Sequence, residues 1–147
     1  MSSKERLIVV KENNRQFVVV VPKKNDADKI HIDTEDYETG QKRCDYAIRV
    51  TPTCKQFFYY VELKGSDVIK AAKQLVATAG KRKSDYNEYE QREAWVISGG
   101  WNPAVNTQFQ VQKRIISKFK FELKHSTKKQ VISLMGKVCE PRTGPST

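Results

Sequence analysis

No stretch of the chain approaches the roughly 18 consecutive apolar residues that a membrane-spanning helix requires. The opening residues, Met1 to Arg6, lack the apolar segment of a secretory signal. A cytoplasmic location without a membrane partner is therefore expected. Cysteine is scarce: Cys44, Cys54 and Cys139 are odd in number and lack metal-site spacing. Thiols in a reducing compartment are expected rather than a disulfide framework. Histidine is scarcer still, and His31 and His125 stand far apart, which excludes a His-based metal motif and reads both as ordinary polar positions. There is no internal repeat and no low-complexity tract.

What the chain has in excess is positive charge. Twenty-seven Lys and Arg face 17 Asp and Glu, a net charge of +10. Such a field attracts polyanions by releasing their counterions. Nucleic acid is the first candidate and an anionic membrane surface the second. No basic amphipathic stretch with bulky apolar anchors stands out, which disfavours the membrane. At 147 residues the chain is expected to form one domain over residues 1–139, with a frayed tail at 140–147.

The front is strand-rich. Leu7–Val10 and Phe17–Val21 are β-branched runs separated by a turn at Glu12-Asn13-Asn14. Lys29–Asp33 reads as a short strand with Ile30 and Ile32 on one face, and Thr34–Lys42 as a loop. Cys44–Val50 and Gln56–Lys64 form a second strand pair around Thr51-Pro52-Thr53. After Gly65, Ser66 is a suitable N-cap; Val68, Ala72, Leu75 and Ala79 recur at helical spacing, and Gly80 suits the helix end. Ala94–Ser98 reads as a strand ended by Gly99-Gly100, and Thr107–Lys118 as a helix. Phe119, Phe121 and Leu123 alternate, as do Val131 and Ser133, consistent with one or two closing strands. This order predicts an α/β (α+β) domain, a mixed sheet flanked by helices.

The chemistry concentrates in the Pro52 hairpin. Centring its turn between Thr53 and Cys54 puts Asp45 opposite Glu62, with Lys64 two residues further on the same face. Tyr46, Ile48 and Val50 then share the other face with Tyr59, Val61 and Leu63. A slip of one residue would bury the charges, so the apolar alternation supports the register without reference to any motif. Two carboxylates at this spacing repel unless a cation lies between them. Mg²⁺ (or Mn²⁺), which takes oxygen ligands and retains water, suits Asp45 and Glu62, with the backbone carbonyl of Leu63 as a further ligand. Lys64 would orient the attacking water and stabilise charge developing on phosphorus-bound oxygens. The start of the following helix adds a positive end nearby. Glu122-Leu123-Lys124 repeats the tripeptide without an Asp in hairpin register and without a Gly-Ser helix start, which makes it an internal control.

Asp45 with Glu62-Leu63-Lys64 resembles the PD-(D/E)xK nuclease superfamily, the fold of restriction endonucleases and archaeal Holliday-junction resolvases. The resemblance spans Cys44 to about Ser98: hairpin, helix, then a strand. It implies a restriction-endonuclease-like sheet and Mg²⁺-dependent hydrolysis of phosphodiesters, with Gln74 on the helix facing the site beside Asp45, Glu62 and Lys64. Cys44 stands where the family has proline, and the family's early helix with its acidic residue has no counterpart in the strand-rich front. Glu35, Asp36 and Glu38 are the acidic residues of the loop that lies there instead.

The expected function is a metal-dependent endonuclease, with DNA favoured over RNA. Lys70, Lys73, Lys81, Arg82 and Lys83 are candidates to track the nucleic-acid backbone, as are Lys113, Arg114, Lys118, Lys128 and Lys129. Trp101, between Gly99-Gly100 and Asn102-Pro103, is a core-edge residue with the option of stacking on a base. A homodimer would supply two sites for two strands. The alternative from another class is a binding module with the same fold and basic surface and no turnover.

Overall fold

The computed structural model describes residues 4–23, 25–32, 45–51 and 56–135. Among these residues eight strands and three α-helices form two mixed sheets with helices packed on one of them. In chain order the elements are β1 (Glu5–Glu12), β2 (Arg15–Pro22), β3 (Asp26–His31), β4 (Tyr46–Thr51), β5 (Phe57–Lys64), α1 (Val68–Lys81), α2 (Lys83–Tyr86), β6 (Gln91–Ser98), α3 (Asn106–Ile116), β7 (Glu122–Thr127) and β8 (Lys129–Ser133).

The larger sheet has the order β3-β4-β5-β6-β7. β3, β4 and β5 run antiparallel to one another, while β5, β6 and β7 are parallel. Parallel neighbours need a crossover, and α1 with α2 supplies it between β5 and β6, α3 between β6 and β7. The smaller sheet is β1-β2-β8: an antiparallel hairpin joined by a two-residue loop with Asn13 at φ 53°, closed by β8 running parallel to β2. Asn tolerates that left-handed conformation better than most residues.

Both faces of the larger sheet are covered, which gives two cores. On one face Ala47, Phe58, Tyr60, Ala94, Val96 and Leu123 meet Val68, Ala72, Leu75 and Ala79 of α1 and Phe109 and Ile116 of α3. The periodic residues of α1 are those the sequence pattern selects. On the other face Ile48, Val50, Tyr59, Val61, Leu63, Trp95 and Ile97 meet Val10, Phe17, Val19 and Val21 of the small sheet. The described helices thus flank one side of the sheet, and the strand-rich front covers the other. The expectation of a polar face on β5 is corrected: Phe58 and Tyr60 share the face of Glu62 and are fully buried. Tyr60 stacks on Phe121 with centroids 5.3 Å apart, and its hydroxyl donates to Asp85 Oδ2 at 3.1 Å.

Three local expectations also change. The N-cap of α1 is Asp67, not Ser66, and its side chain accepts from Lys70 N–H at 3.0 Å. Gly80 lies inside α1, where a ring of Phe119 passes close enough to meet an added Cβ at 3.4 Å. Phe119 belongs to a 3₁₀ turn ended by Lys120 at φ 65°, so β7 begins only at Glu122. Cys44, Cys54, Cys139, the turn around Pro52, the loop with Glu35, Asp36 and Glu38, and the tail lie outside the described residues.

Candidate active site at the ends of the parallel strands

Tyr46 pairs with Val61 across β4 and β5, so Asp45, the next residue, stands opposite Glu62. This is the register that the alternating pattern predicts. The two acids are tied by crossed hydrogen bonds. Asp45 N–H donates to Glu62 Oε1 at 2.9 Å, and Leu63 N–H donates to Asp45 Oδ2 at 2.9 Å. The Asp45 carboxylate therefore takes the place of a ladder carbonyl at the end of the strand pair. Its own carbonyl accepts from Ile32 N–H at 2.9 Å, which fixes Asp45 to the end of β3 as well. Glu62 is 3% exposed. A carboxylate buried to that degree needs compensating donors or cations.

The N–H and C=O of one strand residue point towards the same neighbour. The Leu63 carbonyl therefore opens on the edge that Asp45 occupies. Two carboxylates held by backbone donors, together with that carbonyl, make an all-oxygen donor set of the kind a hard divalent cation takes. Among the described residues no group of three or more His, Cys, Asp or Glu is placed to hold a metal. Waters would have to complete the shell, as they ordinarily do for Mg²⁺.

No family model, curated protein or solved structure matches the chain.

Lys64 closes β5, half-buried, on the face that Glu62 shares. Gly65, Ser66 and Asp67 then lead into α1, whose amino end opens at this corner. Gln74 lies in the second turn of α1, half-buried, with its side-chain carbonyl oxygen buried and its backbone carbonyl accepting from Thr78 Oγ1 at 2.7 Å. The proposed phosphate-tracking residues divide into two groups. Lys70 and Lys73 lie exposed on the first turns of α1, at the end nearer the carboxylates. Lys81, Arg82 and Lys83 lie at its far end, about 20 Å along a 14-residue helix. There Arg82 is engaged by Asp85 at 2.5 Å, and Lys83 lies over the Phe119 ring at 5.5 Å. The helix does not bring that triplet to the carboxylates.

The fold also assembles residues that isolated spacing did not single out. Register places Val96 beside Glu62 and His125 beside Val96; in the next row Ser98 lies beside Lys64. Glu62 and His125 thus share one face, two strands or about 10 Å apart. Ligands of parallel sheets bind outside the carboxyl ends of the strands, and this row is at that end. Ser98 Oγ donates to Gly100 O at 2.6 Å and lies 2.6 Å from His125 Nε2. A hydroxyl has one proton. With that proton on Gly100, His125 must donate from Nε2, which leaves Nδ1 as an acceptor. Burial holds the imidazole below its ordinary pKa and favours this neutral form. The signal available in the sequence was parity: His125 is two residues from Leu123 and so shares its buried face.

Arg15 is the second addition. Its side chain runs inward from β2 to the end of β5, where its Nη1 would lie 3.9 Å from a Cβ built on Gly65. Its Nε is buried without a hydrogen-bond partner among the described residues. The guanidinium thus brings a cation to the residue that follows Lys64.

Proposed function

We propose that the chain is a metal-dependent nuclease that hydrolyses phosphodiester bonds of nucleic acid, with DNA ahead of RNA. The observation that carries this reading is the pair of hydrogen bonds that ties Asp45 to Glu62 and to Leu63 near the C-terminal end of β5, with Lys64 two residues beyond Glu62. Supporting it are the antiparallel β4-β5 pair, the α1 crossover and parallel β6, the order of hairpin, helix and strand that the PD-(D/E)xK resemblance implies.

Asp45, Glu62 and the Leu63 carbonyl would hold Mg²⁺ or Mn²⁺, which when bound supplies Lewis-acid polarisation of a phosphoryl oxygen and acidification of a water. Lys64 would position the attacking water and offset charge on the phosphoryl oxygens as the P–O bond breaks. Arg15 and the amino end of α1 add positive potential beside Gly65 and favour an anion there. The net charge of +10 would draw the polymer to this surface.

The test is cleavage of supercoiled plasmid, a four-way junction, and single-stranded DNA and RNA by purified protein with Mg²⁺ or Mn²⁺. Cutting should be abolished by EDTA and reduced at least about 100-fold by Asp45→Asn and by Lys64→Met. Asn keeps the acceptor for Leu63 N–H while removing the charge, so loss in that variant reports chemistry rather than folding. Binding without any cutting would replace the reading with that of a binding module. Cutting that survives Asp45→Asn would place the chemistry elsewhere.

A further inference from the structure

Among the described residues Trp101 is the large aromatic ring that the fold leaves most open: 36% exposed, while Trp95 is 7% exposed. It is nevertheless held firmly. Phe109 meets it edge to face with centroids 5.2 Å apart, and His125 packs on it at 4.6 Å and 47°. The loop that carries it leaves β6 at Ser98, and Asn102 Oδ1 accepts from Ala104 N–H at 3.0 Å to fix the next turn. A rigid, half-open indole beside a neutral imidazole acceptor is an amphipathic shelf, apolar on its surface and polar at its rim.

Its place in the fold gives it a ligand. Ser98, which orients His125, is the register partner of Lys64 on the adjacent strand. Ser98 therefore lies about one strand spacing from the lysine of the candidate site, and His125, on β7, about two, near 10 Å. Lys128 donates its backbone N–H to Ser98 O at 2.8 Å, and its side chain is exposed at the same corner. A planar apolar ligand attached to an anion matches this combination of ring, acceptor and cations. Within a polynucleotide that ligand is a base next to its phosphate.

We propose that Trp101 and His125 form a binding site for one unstacked nucleobase of a single-stranded polynucleotide. The base stacks on the indole while His125 Nδ1 accepts a hydrogen bond from a ring N–H or exocyclic amine. This rests on the nuclease reading for the nearby phosphate but not on catalysis. Every base presents a π-face and at least one donor, so the site tolerates sequence. It requires the base to be free of a partner, so the substrate class is single-stranded or locally unpaired nucleic acid. A continuous duplex cannot lay a base on the shelf without flipping it out.

The experiment is tryptophan fluorescence of the full chain in EDTA, where cutting is suppressed. It is titrated with oligothymidylate, oligouridylate, an abasic strand of equal length and a blunt duplex. Base-bearing single strands should quench the indole emission. The abasic strand should not quench it and should bind roughly five- to a hundred-fold more weakly. Trp101→Ala should lose the same affinity, and Trp101→Phe should recover most of it. The single strand that binds more tightly identifies the polymer. Equal binding of abasic and base-bearing strands, or a duplex bound as tightly as either single strand, overturns the proposal. The abasic arm uses the unmodified protein, so it decides even if Trp101→Ala folds poorly. A base-dependent quench in a protein that cuts nothing would sink the nuclease reading and leave the shelf standing. Cutting unaffected by Trp101→Ala, with no base-dependent quench, would do the reverse.

Discussion

Lys124 Nζ lies 3.0 Å from Glu93 Oε2, across the β6–β7 pair, and 5.6 Å from the centre of the Trp95 ring. Burial pulls its pKa down, and the bonds and charges of Glu93 and Glu122 more than offset this, so the ammonium is held above its ordinary value. Glu122-Leu123-Lys124 thus repeats the tripeptide of β5 with its lysine engaged in cross-strand pairs. Lys124→Ala should leave metal-dependent cleavage within about twofold of the parent, against the large loss expected for Lys64→Met. Its stability cost should stay near or below about 1 kcal/mol, because the pair is partly exposed. Parallel cleavage assays and urea titrations of the two variants check both statements.

Gly99 donates its N–H to the Gly65 carbonyl at 3.0 Å, and a Cβ on Gly99 would stand 2.9 Å from that same oxygen. Gly99→Ala must therefore push Gly65, the residue after Lys64, or open the β5–β6 strand ends. We expect a stability loss of about 1–3 kcal/mol and a drop in kcat larger than Trp101→Phe produces. Denaturant unfolding and single-turnover cleavage would measure these. Unchanged stability and rate would mean that the strand ends yield freely.

Gly80 gives the opposite sign. It sits inside α1, where Ala is favoured over Gly by about 0.5–1 kcal/mol, and the added methyl would meet Phe119 at an ordinary 3.4 Å. Gly80→Ala should raise Tm by about 2–4 °C. Calorimetry on the two proteins decides this, and a fall in Tm would show that the Phe119 ring cannot accommodate the methyl.

The pH dependence of stability follows from His125. Its folded pKa is lowered by burial, so the unfolded chain takes up the proton first as pH falls. The stability that depends on neutral His125 is present in full above about 6.5, the ordinary histidine value, and is lost as pH falls towards the folded value. The side chains in contact with it, Ser98, Trp101 and Phe109, are uncharged. Between pH 7.5 and 5 the parent should lose more Tm than His125→Gln does. Equal losses would assign the slope to carboxylates instead.

Much of this was legible where the pattern is local. The Asp45–Glu62 register could be read because side chains alternate with period two and a slip would have exchanged whole faces. The α1 face could be read because four apolar residues recur at helical spacing. The Asp67 cap could not be separated from Ser66, since both residue types accept N–H bonds and one residue decides the difference. Phe58 and Tyr60 share the face of Glu62 by the period of the strand and are buried there because α1 packs on that face, a cover that lies outside β5 itself. His125, Trp101 and Arg15 reach the site only through β7, the loop after β6 and β2. Such residues are solitary in the chain and adjacent in the sheet, and a single sequence carries no signal for that adjacency.

The parallel pairing of β8 with β2 has a consequence for how the protein is made. Val18 and Val131 lie side by side although more than a hundred residues separate them. As the chain leaves the ribosome the β1–β2 hairpin is available early, with Phe17, Val19 and Val21 facing a sheet that does not yet exist. Such a hairpin is marginal alone, and non-local pairing is slow to close. The small sheet would therefore be the last part to gain amide protection during refolding, and its unpaired face is where a nascent-chain chaperone would find the molecule.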